Sequence, residues 1–127
     1  MPIHMTQPTT IRSGSRPTIV CLCGSTRFWR EFQAASLRET LAGRIVLSIG
    51  AASGSDDEHF GTLPRVEYDR VKAMLDELHL RKMDLADEVL ILNVGGYIGE
   101  STTRELAYAR ANGKALRFLE HPPVGAS

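Results

Sequence analysis

The sequence predicts an α/β domain: a parallel sheet of about four or five strands with helices on both faces. Short apolar runs without helical period alternate with segments of ten residues or more that do have it. Such alternation implies right-handed crossovers between parallel neighbours. In addition, the first three runs are followed by glycine-bearing stretches at Gly24, Gly50 to Gly61 and Asn93 to Gly99. Sheets of this kind take ligands beyond the carboxyl ends of their strands, where strand order reverses.

Taken in order, Thr18 to Cys23 is an apolar run that reads as a buried strand. A helix is expected from Thr26 to Leu41, with Phe28, Phe32 and Ala35 on one face, Ser25 or Thr26 as N-cap, and Gly43 as the stop. Ile45 to Ile49 is the second strand. Gly50 to Pro64 reads as a long loop carrying Asp56, Asp57, Glu58 and His59, and long ordered loops are often functional. A second helix starts near Arg65 and reaches Lys82 or beyond, its Val71, Met74, Leu75 and Leu78 spaced as an inward apolar face. Val89 to Leu92 is the third strand, followed by the glycine-rich loop Asn93 to Glu100. Ser101-Thr102-Thr103 opens a third helix that ends at Asn112-Gly113, and Ala115 to Leu119 is the last strand. Residues 1–16 read as a flexible arm, 17–120 as one domain and 121–127 as a tail.

Hydrophobic residues make up 43% of the 127 residues and charged residues 24%, enough for a core without metal or disulfides. The formal net charge is zero and no basic run exists. That argues against a nucleic-acid polymer as partner, since phosphate neutralisation supplies most of that affinity. No apolar run spans a bilayer and no signal-like segment opens the chain, so a cytoplasmic protein without a membrane partner is expected. Cys21 and Cys23 point to one face of a strand. No other Cys/His cluster accompanies them, so buried thiols are expected rather than a metal site.

Three segments could carry chemistry. Gly24-Ser25-Thr26-Arg27 combines close backbone approach, hydroxyls, a guanidinium and a helix start, all suited to a phosphate. It reads equally as a plain helix cap. Thr102-x-x-Glu105 fits a capping box. Alternatively, Glu105 is a carboxylate nucleophile beside a glycine-rich turn, kept ionised by the helix terminus. Glycosidic bonds are commonly broken by two carboxyl groups, so Glu105 needs a partner. Glu100, Asp84 and His79 are candidates, along with Asp87 and the acids of the long loop. Tyr68 and Tyr97 could stack on a base or simply pack, and Trp29 reads as a helix-face residue.

In order and spacing, Cys23 to Arg27, Ala86-Asp87-Glu88-Val89-Leu90-Ile91-Leu92, and Gly99-Glu100-Ser101 followed by Glu105 to Ala109 and Gly113-Lys114 resemble the nucleoside 2-deoxyribosyltransferase superfamily. Within it, the chain is similar to the 2′-deoxynucleoside 5′-phosphate N-hydrolases. The resemblance implies a Rossmann-like (flavodoxin-like) sheet, a homodimer or larger homo-oligomer, no cofactor and no metal. It implies a glutamate, here Glu105, that attacks C1′ of a small-molecule nucleoside or nucleotide and releases the base to water or to a second base. Gly24, Ser25 and Arg27 match the turn that the N-hydrolases use on the 5′-phosphate, and Ser101 is a further expected phosphate or sugar contact. From their own place in the two turns, Thr26, Gly99 and Tyr97 are also expected to bind substrate. The family's second carboxylate falls at His79, and the acid expected about six residues before the nucleophile falls at Gly99, next to Glu100. The second acid is therefore open among Glu100, Asp84 and His79. A nucleotide-binding sensor or accessory protein without catalysis is the alternative.

Overall fold

The computed structural model describes residues 15–50, 54 and 56–121, apart from the side chains of residues 56 and 57. Most of the expected arm, the tail beyond residue 121, and the side chains of Asp56 and Asp57 therefore lie outside the described residues.

Four strands form one all-parallel sheet: β1 (Ile19–Cys23), β2 (Ile45–Leu47), β3 (Glu88–Ile91) and β4 (Ala115–Phe118). Their spatial order is β2-β1-β3-β4. The chain steps outward from β1 to β2, then crosses back over β1 to β3, so strand order reverses between β1 and β3. Four helices connect and flank them: α1 (Trp29–Leu41), α2 (Asp56–Phe60), α3 (Arg65–Leu85) and α4 (Glu100–Ala111). The predicted α/β fold is present, with helices on both faces.

Alternation along the strands builds two cores. Val20, Leu22, Leu90 and Leu92 point to one face and bury Phe32 and Ala35 of α1. Cys21, Cys23, Val89 and Ile91 point to the other and bury Met83 and Ala86 at the end of α3 with Ala109 of α4. Each large side chain buried this way contributes roughly 1.5–3 kcal/mol.

Several boundaries differ from the sequence reading. Thr26–Phe28 is a tight 3-10 turn capped by the Ser25 hydroxyl, which accepts from the Arg27 N–H at 3.3 Å, and α1 proper begins at Trp29. The stretch read as loop contains α2. The third predicted helix opens at Glu100 with Gly99 as N-cap, ahead of the expected Ser101 start.

The larger correction concerns α3. The apolar face read from Val71, Met74, Leu75 and Leu78 does not pack on the sheet: Met74 is 53% and Leu78 45% exposed, while His79 and Met83 are buried. Length explains it. A 21-residue helix spans ~31 Å, whereas a five-residue strand spans ~17 Å, so one end must overhang. The carboxyl end of α3 covers β1, and the amino end projects past the strands and walls a cleft.

Candidate active site

At the carboxyl ends of β1 and β3 lies a cleft of about 540 Å³, within the ~300–1,000 Å³ usual for small-molecule sites. One wall is the turn after β1, Gly24 to Thr26. A second is the amino-terminal turn of α4 with the preceding Tyr97 and Gly99. The third is α3, which contributes Lys72, Asp76, His79 and Lys82, and α2 adds His59 and Phe60 at the rim.

Gly24 is required by packing as well as by access. A Cβ there would lie 3.1 Å from the Leu92 Cβ and 3.3 Å from its carbonyl oxygen, so the end of β3 would have to move. After β3, Gly95 and Gly96 adopt φ of +63° and +84°, a region that favours glycine, and turn the chain toward Tyr97.

Glu105 lines this cleft from the second turn of α4. The capping-box reading fails because the helix begins at Glu100, which puts Glu105 too far along to reach the orphan N–H groups. Its neighbours are Cys23 and His79. Burial raises the Glu105 carboxyl above the ordinary glutamate value; His79 opposes this, while Cys21 and Asp76 add to it. Glu105 stands beyond the first turn of α4, where the favourable field of the helix terminus fades, so the net direction is up.

Beneath Glu105 and His79 lie the two cysteines, both fully buried and free. The His79 Nε2 stands 3.3 Å from the Cys23 sulfur and 3.7 Å from that of Cys21. The hydrogen bond from Cys23 draws the Cys21 thiol down to about 5 against the effect of burial, with His79 and Lys82 assisting. Cys23 is pushed up by that same bond, by burial and by Glu105. Burial would lower His79, but Cys21 and Glu105 outweigh it and leave the imidazole above its ordinary value. The expectation that the cysteines have no companion is corrected here: α3 brings His79 onto them from 56 residues away in the chain.

The remaining predicted residues divide. Ser25, Thr26, Gly99, Ser101 and Tyr97 line the cleft with Gly24. Arg27 does not line it; its guanidinium stacks 4.6 Å above the Tyr97 ring, whose edge meets Phe28. Glu100 stands at the rim with its side chain 93% exposed, paired with Arg104 at 3.3 Å. Asp84 is excluded from the site. It accepts from the Tyr108 hydroxyl at 2.6 Å and pairs with Arg81, because α3 stays helical to Leu85 and turns position 84 outward. Asp87 likewise serves the opposite end of the sheet, accepting from Arg16 and from the Ile19 N–H. Tyr68 packs on Phe60 instead of facing the cleft, and Trp29 carries the Arg30 guanidinium on its ring.

Sequence reasoning missed Lys72, Asp76 and Lys82. The signal was present: 72, 76, 79 and 82 recur at helical spacing and share one face. The apolar set at 71, 74, 75 and 78 gave a stronger pattern, and it masked the polar one. Lys82 donates to the Ser48 carbonyl at 2.6 Å and ties α3 to the chain after β2.

Fold and site together define an α/β protein with an acid-bearing ligand cleft at the reversal point of a parallel sheet. Comparison with protein-family models, curated proteins and solved structures finds no match to this chain.

Proposed function

We propose that the cleft binds a nucleoside 5′-monophosphate and breaks its N-glycosidic bond with Glu105 as the nucleophile. The observation that carries this is the direction of Glu105, which opens into the same cavity as the turn after β1 instead of folding back on its helix. The resemblance of the sequence to nucleoside 2-deoxyribosyltransferases and their N-hydrolase relatives agrees with that placement.

In this reading the hydroxyls and backbone N–H groups of Gly24 to Thr26, with Ser101 at the start of α4, receive the phosphate. Tyr97 lies along the sugar or base. The Glu105 carboxylate attacks C1′, and the C1′–N bond breaks with its electron pair going to the base. The departing nitrogen takes its proton from a second group of the cleft, with Asp76 and His79 of α3 both lining it. Water then hydrolyses the glycosyl ester, or a second base takes the sugar. The chemistry calls for no cofactor.

A homodimer fits the exposed apolar stripe of α3, formed by Val66, Met74, Leu78 and Leu85. Leu78 also lines the cleft, so a second copy on this stripe would close one side of it. No described helix is long and apolar enough to cross a membrane.

The test is incubation with ribo- and deoxyribonucleoside monophosphates, reading free base by chromatography. Wild type should release base and Glu105→Ala should not, at unchanged circular dichroism. Turnover retained in that variant would overturn the nucleophile assignment. A thermal shift with no product from wild type would favour the non-catalytic nucleotide binder.

A further inference from the structure

We propose that Cys21, Cys23 and His79 form a binding site for a thiophilic divalent metal ion of the zinc class. The pleat of β1 sets the two sulfurs side by side on one face, and α3 lays an imidazole nitrogen against both. All three ligand atoms lie within 4.8 Å of one another.

The dimensions match a tetrahedral site. With zinc–sulfur bonds of ~2.3 Å and zinc–nitrogen bonds of ~2.0–2.1 Å, a tetrahedron has sulfur–nitrogen edges of about 3.5–3.6 Å. The two edges here, 3.3 and 3.7 Å, bracket that value. Both sulfur–nitrogen edges are thus within a few tenths of an ångström of those of a tetrahedral shell. A disulfide is a poor alternative use of the pair, because residues two apart on an extended strand hold their Cα atoms near the ~7 Å limit for bridging.

The donor set selects the metal. Two thiolates and an imidazole suit zinc and its thiophilic neighbours, whereas magnesium and calcium require oxygen cages. The site also has a route in. The sulfurs are sealed, but His79 and Glu105 line the cleft, so an ion arrives from the solvent side and meets them first. Glu105 interacts with both Cys23 and His79 but stands outside their 4.8 Å cluster, so it reaches the fourth position by a side-chain movement. An ion that also takes Glu105 as its fourth ligand bars that carboxylate from acting as a nucleophile.

This inference stands independently of the glycosidic reading, and its readout is not turnover. The reduced full-length protein is titrated anaerobically with cobalt(II), a coloured substitute for zinc. The expected result is one equivalent bound, with intense tetrahedral visible bands and a sulfur-to-cobalt charge-transfer band, both lost on adding zinc. Cys21→Ser and Cys23→Ser should each weaken the charge-transfer band, and the double variant should abolish it. Glu105→Gln should keep that band and shift the visible ones. Wild type that develops no charge-transfer band overturns the proposal whether or not the variants fold. So does tight binding that survives loss of both cysteines.

Discussion

The two ends of this sheet each hold a glutamate, one buried and one half-buried, and they treat it in opposite ways. At the amino-terminal ends of the strands, Glu39 of α1 is only 2% exposed. It accepts from Arg117 of β4 and pairs with Arg44 and Arg38. Arg117 also donates to Glu88 at 2.7 and 2.9 Å, so the cluster is a closed network of guanidinium and carboxylate. Nearby, the hydrogen bonds and charge of Arg16, with the Ile19 N–H, hold the Asp87 carboxyl well below the usual range. At the carboxyl-terminal ends, Glu105 meets a histidine and two thiols in place of a guanidinium, and its carboxyl is raised. Burial would raise Glu39 too, but Arg117 and its neighbours overcome it and the net direction is down.

The difference separates stability from reactivity. A buried carboxylate met by arginines is satisfied, and removing a partner is costly. A half-buried carboxylate left with weak thiol donors and one imidazole retains unused capacity for a ligand, and sites of this kind often carry function at the expense of stability. The arginine network sits where the strands begin, and the Glu105 cluster sits where they end.

The largest expected effect comes from Glu105→Gln. Base release should fall by ~10⁴-fold or more, the scale of losing a nucleophile. Denaturant unfolding should show stability unchanged or raised by about 0.5–1 kcal/mol, since a poorly compensated carboxylate is gone. A marked loss of stability would erase the contrast between the two ends. Next is Arg117→Met. It should cost ~2 kcal/mol, below the full penalty for a buried pair because Arg117 is partly exposed and Arg44 remains beside Glu39. Base release at saturating substrate should not change.

The pH dependence of stability sharpens the same comparison. Glu39 has a lower pKa folded than unfolded. Its contribution is therefore complete above the ordinary carboxylate range and is lost as pH falls through the folded value. Glu39→Gln should be less stable than wild type by roughly 1 kcal/mol at neutral pH, and urea titrations between pH ~7 and pH ~3 should show that gap closing. A gap that widens in acid would mean the arginines do not stabilise the ionised form. The smallest effect belongs to Asp84→Asn: under ~0.5 kcal/mol, because its pairs with Arg81 and Tyr108 are at the surface. Its base release should match wild type, and a large loss there would return Asp84 to the list of second acids.

Much of this architecture was legible along the chain. The apolar runs read at residues 18–23, 45–49, 89–92 and 115–119 fall within two residues of the strands at each end, and Gly24, Gly43 and Gly113 marked turns where the structure has them. Glu105 and the turn at Gly24 to Thr26 were also found, and they do share a cleft. Which acid of α3 faces the cleft was not legible. Asp84 and Asp76 are both on α3, and only the helix phase, set by how Met83 and His79 dock on β1, turns one outward and the other into the cleft.

Periodicity and turn residues are local properties, so the sequence alone determined the fold class and the order of strands along the chain. The company that Glu105 keeps is non-local. Cys21 and Cys23 meet His79 only because β1 and α3 pack across 56 residues of chain. The overhang of α3 past a short sheet is what converts an apparent core face into one wall of a cleft and an exposed stripe. Spacing in sequence carries no record of either contact, because both follow from how lengths and faces fit in three dimensions.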